Sequence, residues 1–105
     1  MKLLLGLLAF SVTLPATTYY VTVSGLGGEA EYETRFAGLA TEAHKLVSGT
    51  PESKAFLQMG VTGTKAKIRE SFGQIANEAT PDDNLVVFLI GHGTFDGTDY
   101  KINLP

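Results

Sequence analysis

Gly91-His92-Gly93-Thr94 is the stretch of this chain whose residue types best suit chemistry. Imidazole is the one side chain that ordinarily gains and loses a proton near neutral pH. Flanking glycines permit a sharp turn and leave a backbone N–H free to approach a substrate oxygen. His92 follows the apolar run 85–90 by two residues, and open α/β sheets bind ligands beyond the carboxyl ends of their strands. The residues alone leave two readings open, a proton-transferring group in a cleft or a hydrogen-bonded turn histidine. Thr94 is a candidate hydrogen-bonding neighbour. His44 falls beside Ala43 and Val47 on a helical stripe and reads as a flank or core-edge residue. Two histidines and no cysteine give no support for a metal site, and they exclude a thiol nucleophile, a disulfide or a lipid-attachment thiol within these residues.

A second pattern, Gly25-Leu26-Gly27-Gly28-Glu29-Ala30, fits the G-x-G-x-x-A spacing of dinucleotide sites. Glu29, Glu31 and Glu33 at the start of the following helix would repel a pyrophosphate. No acidic residue ends the second candidate strand, where a ribose partner belongs. The favoured reading is a glycine turn that reverses the backbone, and no cofactor is expected.

The elements that must position these residues follow from periodicity. Residues 19–24 are β-branched and aromatic, as in a strand, and the glycines after them stop it. Between residues 29 and 47, Tyr32, Phe36, Leu39, Ala40, Ala43, Leu46 and Val47 recur at spacings of three and four, which predicts an amphipathic helix. Residues 54–59 form a weaker strand candidate. Thr64 is placed to cap a second helix over 65–79, where Ile68, Phe72, Ile75, Ala76 and Ala79 share a face. Asp82 and Asp83 belong to a turn. Residues 85–90 are apolar without alternation, as expected of a strand covered on both faces. Residues 100–104 begin a further strand or hairpin arm after the Asp96-Gly97 turn, and Asp99 reads as exposed. Strand, helix, strand, helix, strand implies an α/β fold with a parallel sheet and right-handed crossovers. So few elements leave such a sheet incompletely covered, so the domain is expected to continue past Pro105.

The first residues read differently. Lys2, the apolar run 3–10 and the small residue Ala16 follow the order of a secretory signal peptide. Polar Ser11 and Thr13 arrive before the roughly 20 apolar residues that a spanning helix needs. The reading is a leader over residues 1–16, a domain over residues 17–105, and a secreted or periplasmic protein with no stable membrane span after cleavage. Loss of Lys2 would leave 7 basic and 11 acidic side chains, a net charge of −4. Scattered cations on an acidic surface exclude a nucleic-acid partner. Oligomeric state is not legible.

The strand 85–90 running into Gly91-His92-Gly93, with Asp82 and Asp83 before it and Asp96-Gly97 after it, resembles the histidine segment of caspase-like cysteine peptidases, the group of caspases, clostripain, gingipains and legumain. The start Ser24-Gly25-Leu26-Gly27-Gly28-Glu29 is similar to that of bacterial exported members. The resemblance covers most of residues 19–105, although its specific part is about ten residues. It implies a three-layer α/β/α fold with a mostly parallel sheet, incomplete here, and a peptide or protein substrate. His92 would be the catalytic histidine and the Gly93 N–H an oxyanion donor. The family's cysteine ends a neighbouring strand downstream, about 50 residues after the histidine in caspases, whereas 13 residues follow His92. A non-catalytic binding module on the same fold, or a nucleotide-binding α/β protein, are the alternatives.

The leader is tested by export. Expressed in a host with a general secretion route, the chain should be cut between Ala16 and Thr17, and mass spectrometry of exported material would find a Thr17 start. An intact Met1 start would contradict the reading.

Overall fold

In the central strand, β1 (Thr18–Ser24), Val21, Thr22 and Val23 are completely buried. The computed structural model describes residues 15–105, so the leader expected over residues 1–16 lies, apart from Pro15 and Ala16, outside the described residues. β1 pairs in parallel with β2 (Ser53–Gln58) on one side and with β3 (Asn84–Ile90) on the other, giving the order β2-β1-β3. The first connection, helix α1 (Ala30–Ser48), runs outward from β1 to β2. The second, helix α2 (Lys65–Glu78), runs back across β1 to β3. Right-handed crossovers in opposite directions put the two helices on opposite faces of the sheet. The chain is therefore an α/β domain with a parallel three-stranded sheet between helices.

Strand alternation sorts β1 between these layers. Tyr19, Val21 and Val23 form a cluster with Ile75 of α2, and Ile68, Phe72, Phe56 and Leu104 pack against it. On the opposite face Thr22 and Ser24 are buried, small enough for α1 to approach through Ala40, which is also fully buried. Each helix begins as its sequence dictates. Glu31 and Glu33 lie in the first turn of α1, where the helix dipole favours carboxylates. The Thr64 hydroxyl accepts the Lys67 N–H at the start of α2. A short helical turn at Gly60–Thr62 links β2 to α2.

The three predicted strands of the sheet and both helices are present with boundaries moved by one residue, and residues 93–102 form the antiparallel hairpin of β4 (Gly93–Phe95) and β5 (Tyr100–Ile102). The sheet is incompletely covered, as so few elements imply, and the double burial to which the apolar run 85–90 is suited is not met among the described residues. β3 is not covered on both faces but lies at the edge of the sheet, with Leu85, Val87, Phe88 and Leu89 between 37% and 60% exposed. An unbroken apolar run reports that a strand is suited to burial, not that its neighbours are present.

Asp83 fastens the entry to the sheet. Its carboxylate accepts the Thr80 N–H and the Thr17 N–H, both at 2.8 Å, while the Asn84 N–H reaches the Thr17 carbonyl at 3.0 Å. The Thr80 bond and then the Thr17 bond hold the Asp83 carboxyl below its ordinary value of 3.8. A depressed folded pKa contributes stability that is full above the unfolded value and is lost as pH falls through the folded one. Asp83→Asn should therefore lower the melting temperature at neutral pH and flatten its decline in acid. Thermal melts of both proteins between about pH 2 and 7 would show their difference shrinking below about pH 4, and parallel curves would contradict this role.

Candidate functional site

Because the crossover from β1 to β2 and the crossover from β2 to β3 run in opposite directions, the chain has a switch point between β1 and β3, the position at which open α/β sheets form a ligand crevice. Three backbone segments meet there. The Gly25 N–H donates to the Ile90 carbonyl at 2.8 Å, the Leu26 N–H to the Asn103 carbonyl at 2.8 Å, and the Asn103 N–H to the His92 carbonyl at 2.9 Å. A side chain at Gly25 would come within 2.6 Å of the Asn103 carbonyl oxygen, and one at Gly91 within 3.2 Å of the Gly25 Cα. These glycines are required by close backbone packing.

His92 projects from this junction onto α1. Its ring meets Tyr32 edge-on at 4.9 Å and 69°, and Phe36 at 5.0 Å and 76°. Tyr32 and Phe36 lie one helical turn apart and touch each other at 5.8 Å. The Arg35 guanidinium sits 5.8 Å from the Tyr32 ring. The imidazole is thus exposed to solvent yet clamped by two rings. Sequence reasoning assigned Tyr32 and Phe36 to the buried stripe of the helix. Their i, i+4 spacing is the same whether the rings face a core or a histidine; an aromatic pair in the first turns of a helix that starts at a strand's carboxyl end is the signal that was present.

Beyond His92 the hairpin builds the wall of an open cleft of about 500 Å³ that His92, Leu89, Phe95 and Tyr100 line. Phe95 and Tyr100 stack at 4.4 Å and remain largely exposed. The turn between them is held by Asp96, whose carboxylate accepts the Asp99 and Thr98 N–H groups at 2.8 and 2.9 Å and pairs with Lys101 at 3.3 Å. The Asp99 bond first, then the Thr98 bond and Lys101, keep the Asp96 carboxyl below its usual range.

Gly93 opens β4 opposite Ile102. The hydrogen-bonded rungs fall at His92 with Asn103 and at Asp96 with Asp99, so strand alternation directs the Gly93 N–H away from β5. A side chain at Gly93 would come within 2.8 Å of the Lys101 carbonyl oxygen, which gives this glycine a packing reason as well. Thr94 pairs with Lys101 across the hairpin. His44 lies further along α1, with its Nδ1 buried and without a hydrogen-bond partner among the described residues.

The glycine turn after β1 has its own occupant. The Glu33 carboxylate accepts the Gly27 N–H at 2.5 Å, taking the donor that a phosphate would need. Gly27 is packed so tightly on α1 that a Cβ would overlap the Glu33 nitrogen, and Gly28 has φ near 85°. Among the described residues, no cluster of three or more histidine, aspartate or glutamate side chains could hold a metal, and no helix is long and apolar enough to cross a membrane. Compared with known protein families, with curated proteins and with solved structures, the chain matches none.

The aromatic clamp should be visible by NMR. In wild type the carbon-bound ring protons of His92 should be displaced from free-imidazole positions by the currents of Tyr32 and Phe36. Phe36→Leu should move them back and lower stability by about 0.5–1.5 kcal/mol, the usual worth of an aromatic pair. Unchanged shifts would show that the rings do not hold the imidazole.

Proposed function

We propose that His92 is the acid–base group of an exported, caspase-like cysteine peptidase domain whose thiol lies on polypeptide outside these 105 residues. The observation that carries this reading is the placement of His92, just past the end of β3 at the switch point and gripped by Tyr32 and Phe36. Support also comes from the Gly93 N–H, directed away from β5, and from the free edge of β3, where one more strand would bring a nucleophile beside the imidazole.

On this reading His92 takes the proton of the thiol, and the thiolate attacks the carbonyl carbon of a peptide bond. The developing oxyanion is held by backbone donors that include the Gly93 N–H. Collapse of the tetrahedral adduct breaks the C–N bond while the imidazolium gives its proton to the leaving amine. Neutral His92 then takes a proton from water, which attacks the thioester and releases the carboxylic product and the thiol. The residues of this chain supply the proton path and one oxyanion donor. In a second reading the same crevice binds peptide without cleaving it, and the absence of cysteine from these 105 residues fits both.

One experiment separates the two. In the longest polypeptide that contains these residues, peptide hydrolysis should be blocked by iodoacetamide. His92→Ala should lower kcat/KM by about 100-fold or more, the usual scale for general acid–base catalysis. His44→Ala should leave it unchanged. Equal turnover in wild type and His92→Ala, both folded by circular dichroism, would remove His92 from the chemistry. Peptide binding without any turnover would establish the binding module.

A further inference from the structure

A second cleft, of about 280 Å³, lies over the carboxyl ends of β1 and β2, between the turn that leads into α1 and the turn that leads into α2. We propose that it binds the cationic side chain of an arginine or lysine carried by a polypeptide. This inference does not rest on the reading of His92, and the site sits on the β2 side of β1, away from the outer edge of β3.

The lining divides by chemistry. Ser24, the last residue of β1, is 5% exposed and lines the cleft, and among the described residues its hydroxyl has no hydrogen-bond partner. A buried polar group left without a partner costs free energy, so the little surface that Ser24 keeps marks a position where a donor belongs. Glu33 supplies the charge. Its Oε1 accepts the Gly27 N–H, which fixes the carboxylate against the turn and leaves Oε2 without a partner among the described residues. Leu26 and Val61 supply apolar surface, 41% and 92% exposed. Val61 stands in the short helical turn Gly60–Thr62, where it buries almost nothing within the chain itself.

A long cationic side chain needs these three kinds of surface together. Lysine and arginine lay their methylene stems along apolar groups and keep the charged head among polar ones. Here the stem would pack on Leu26 and Val61 while the head gives one charge-assisted N–H bond to Glu33 and another to the Ser24 hydroxyl. A cleft of about 280 Å³ is smaller than the roughly 300–1,000 Å³ of pockets that enclose a drug-sized molecule, and it suits a single side chain. An anion is disfavoured, because no lysine or arginine lines the cleft. Glu29 and Glu31, the latter paired with Arg35 at 3.7 Å, stand with Glu33 at the same helix start, where they outweigh the roughly half positive charge of the helix dipole. The same acids would repel the α-carboxylate of a free amino acid, so the side chain is one whose carboxylate is tied up in a peptide bond.

Titration of the 105-residue chain with N-acetyl-arginine amide, followed by proton–nitrogen NMR, tests the site. Saturable shifts are expected at the amides of Leu26, Gly27 and Val61. N-acetyl-citrulline amide, the uncharged isostere, should bind at least about 10-fold more weakly, the scale of a hydrogen bond to a charged group. Glu33→Gln retains an acceptor for Gly27 and should weaken the arginine ligand by a similar factor. Val61→Lys, at a position almost wholly in solvent, should do the same by setting a like charge at the rim, and Val61→Glu should bind at least as tightly as wild type. Circular dichroism verifies that each variant is folded, and the Val61 pair decides the matter should Glu33→Gln not fold. Equal binding of the arginine and citrulline amides would overturn the proposal, as would affinity indifferent to both Val61 charges. Shifts confined to Tyr32, Phe36 and His92 would overturn it too, by placing the ligand in the other crevice. Agmatine bound at least about 10-fold more tightly than the arginine amide would give the site to free amines and overturn the polypeptide as its source. Peptide hydrolysis is not measured, so this idea and the reading of His92 can fail separately.

Discussion

β1 has a hydrogen-bonded neighbour on each side and a helix on each face, so the side chains of its fully enclosed part, Val21 to Ser24, must be apolar or small, and the other strands of the sheet take their positions from it. Val21 and Val23 can be large because α2 brings Ile75 to meet them. Thr22 and Ser24 must be small because α1 lies close through Ala40. The Thr22 hydroxyl is buried with no hydrogen-bond partner among the described residues, a sign of how closely that face is packed. Because β1 is central, both crossovers must cross it or leave from it, and the opposite directions they take open the crevice beside which His92 stands.

The glycines around that crevice share one cause. Where β1 and β3 end, the return strand after β5 passes over them through Asn103, and the space between three backbones is too small for a Cβ. The same crowding decides what the turn after β1 can hold. Glu33 folds back onto Gly27, so a carboxylate of the chain itself already holds that donor.

The helices and strands were legible because their apolar residues repeat at the spacings that each conformation imposes, and the parallel order followed from their alternation. The place of His92 was legible for a related reason, since a strand's end can be read from where its apolar run stops. Coverage was legible only in part. Residues 85–90 read as suited to burial on both faces in a sheet that so few elements leave open, and the pairing of β1 with both of its neighbours shows β3 to be the strand at the open edge. Tyr32 and Phe36 were equally hidden, because helical periodicity shows that two rings share a face and says nothing about what faces them. The glycine pattern resembled a phosphate loop for as long as Glu33, six residues from Gly27, could not be placed against it.

The bond between the Thr17 N–H and Asp83 links the ends of the domain's history as well as the ends of two strands. As an amide, Thr17 offers Asp83 a neutral donor at 2.8 Å. A cut between Ala16 and Thr17 would turn that nitrogen into an α-ammonium beside a carboxylate that is already held ionised, making a charge-assisted contact of the stronger kind. Removal of a leader at that point would then tighten the base of the sheet in the act of separating from it, and the processed chain would be a better-fastened molecule than its precursor.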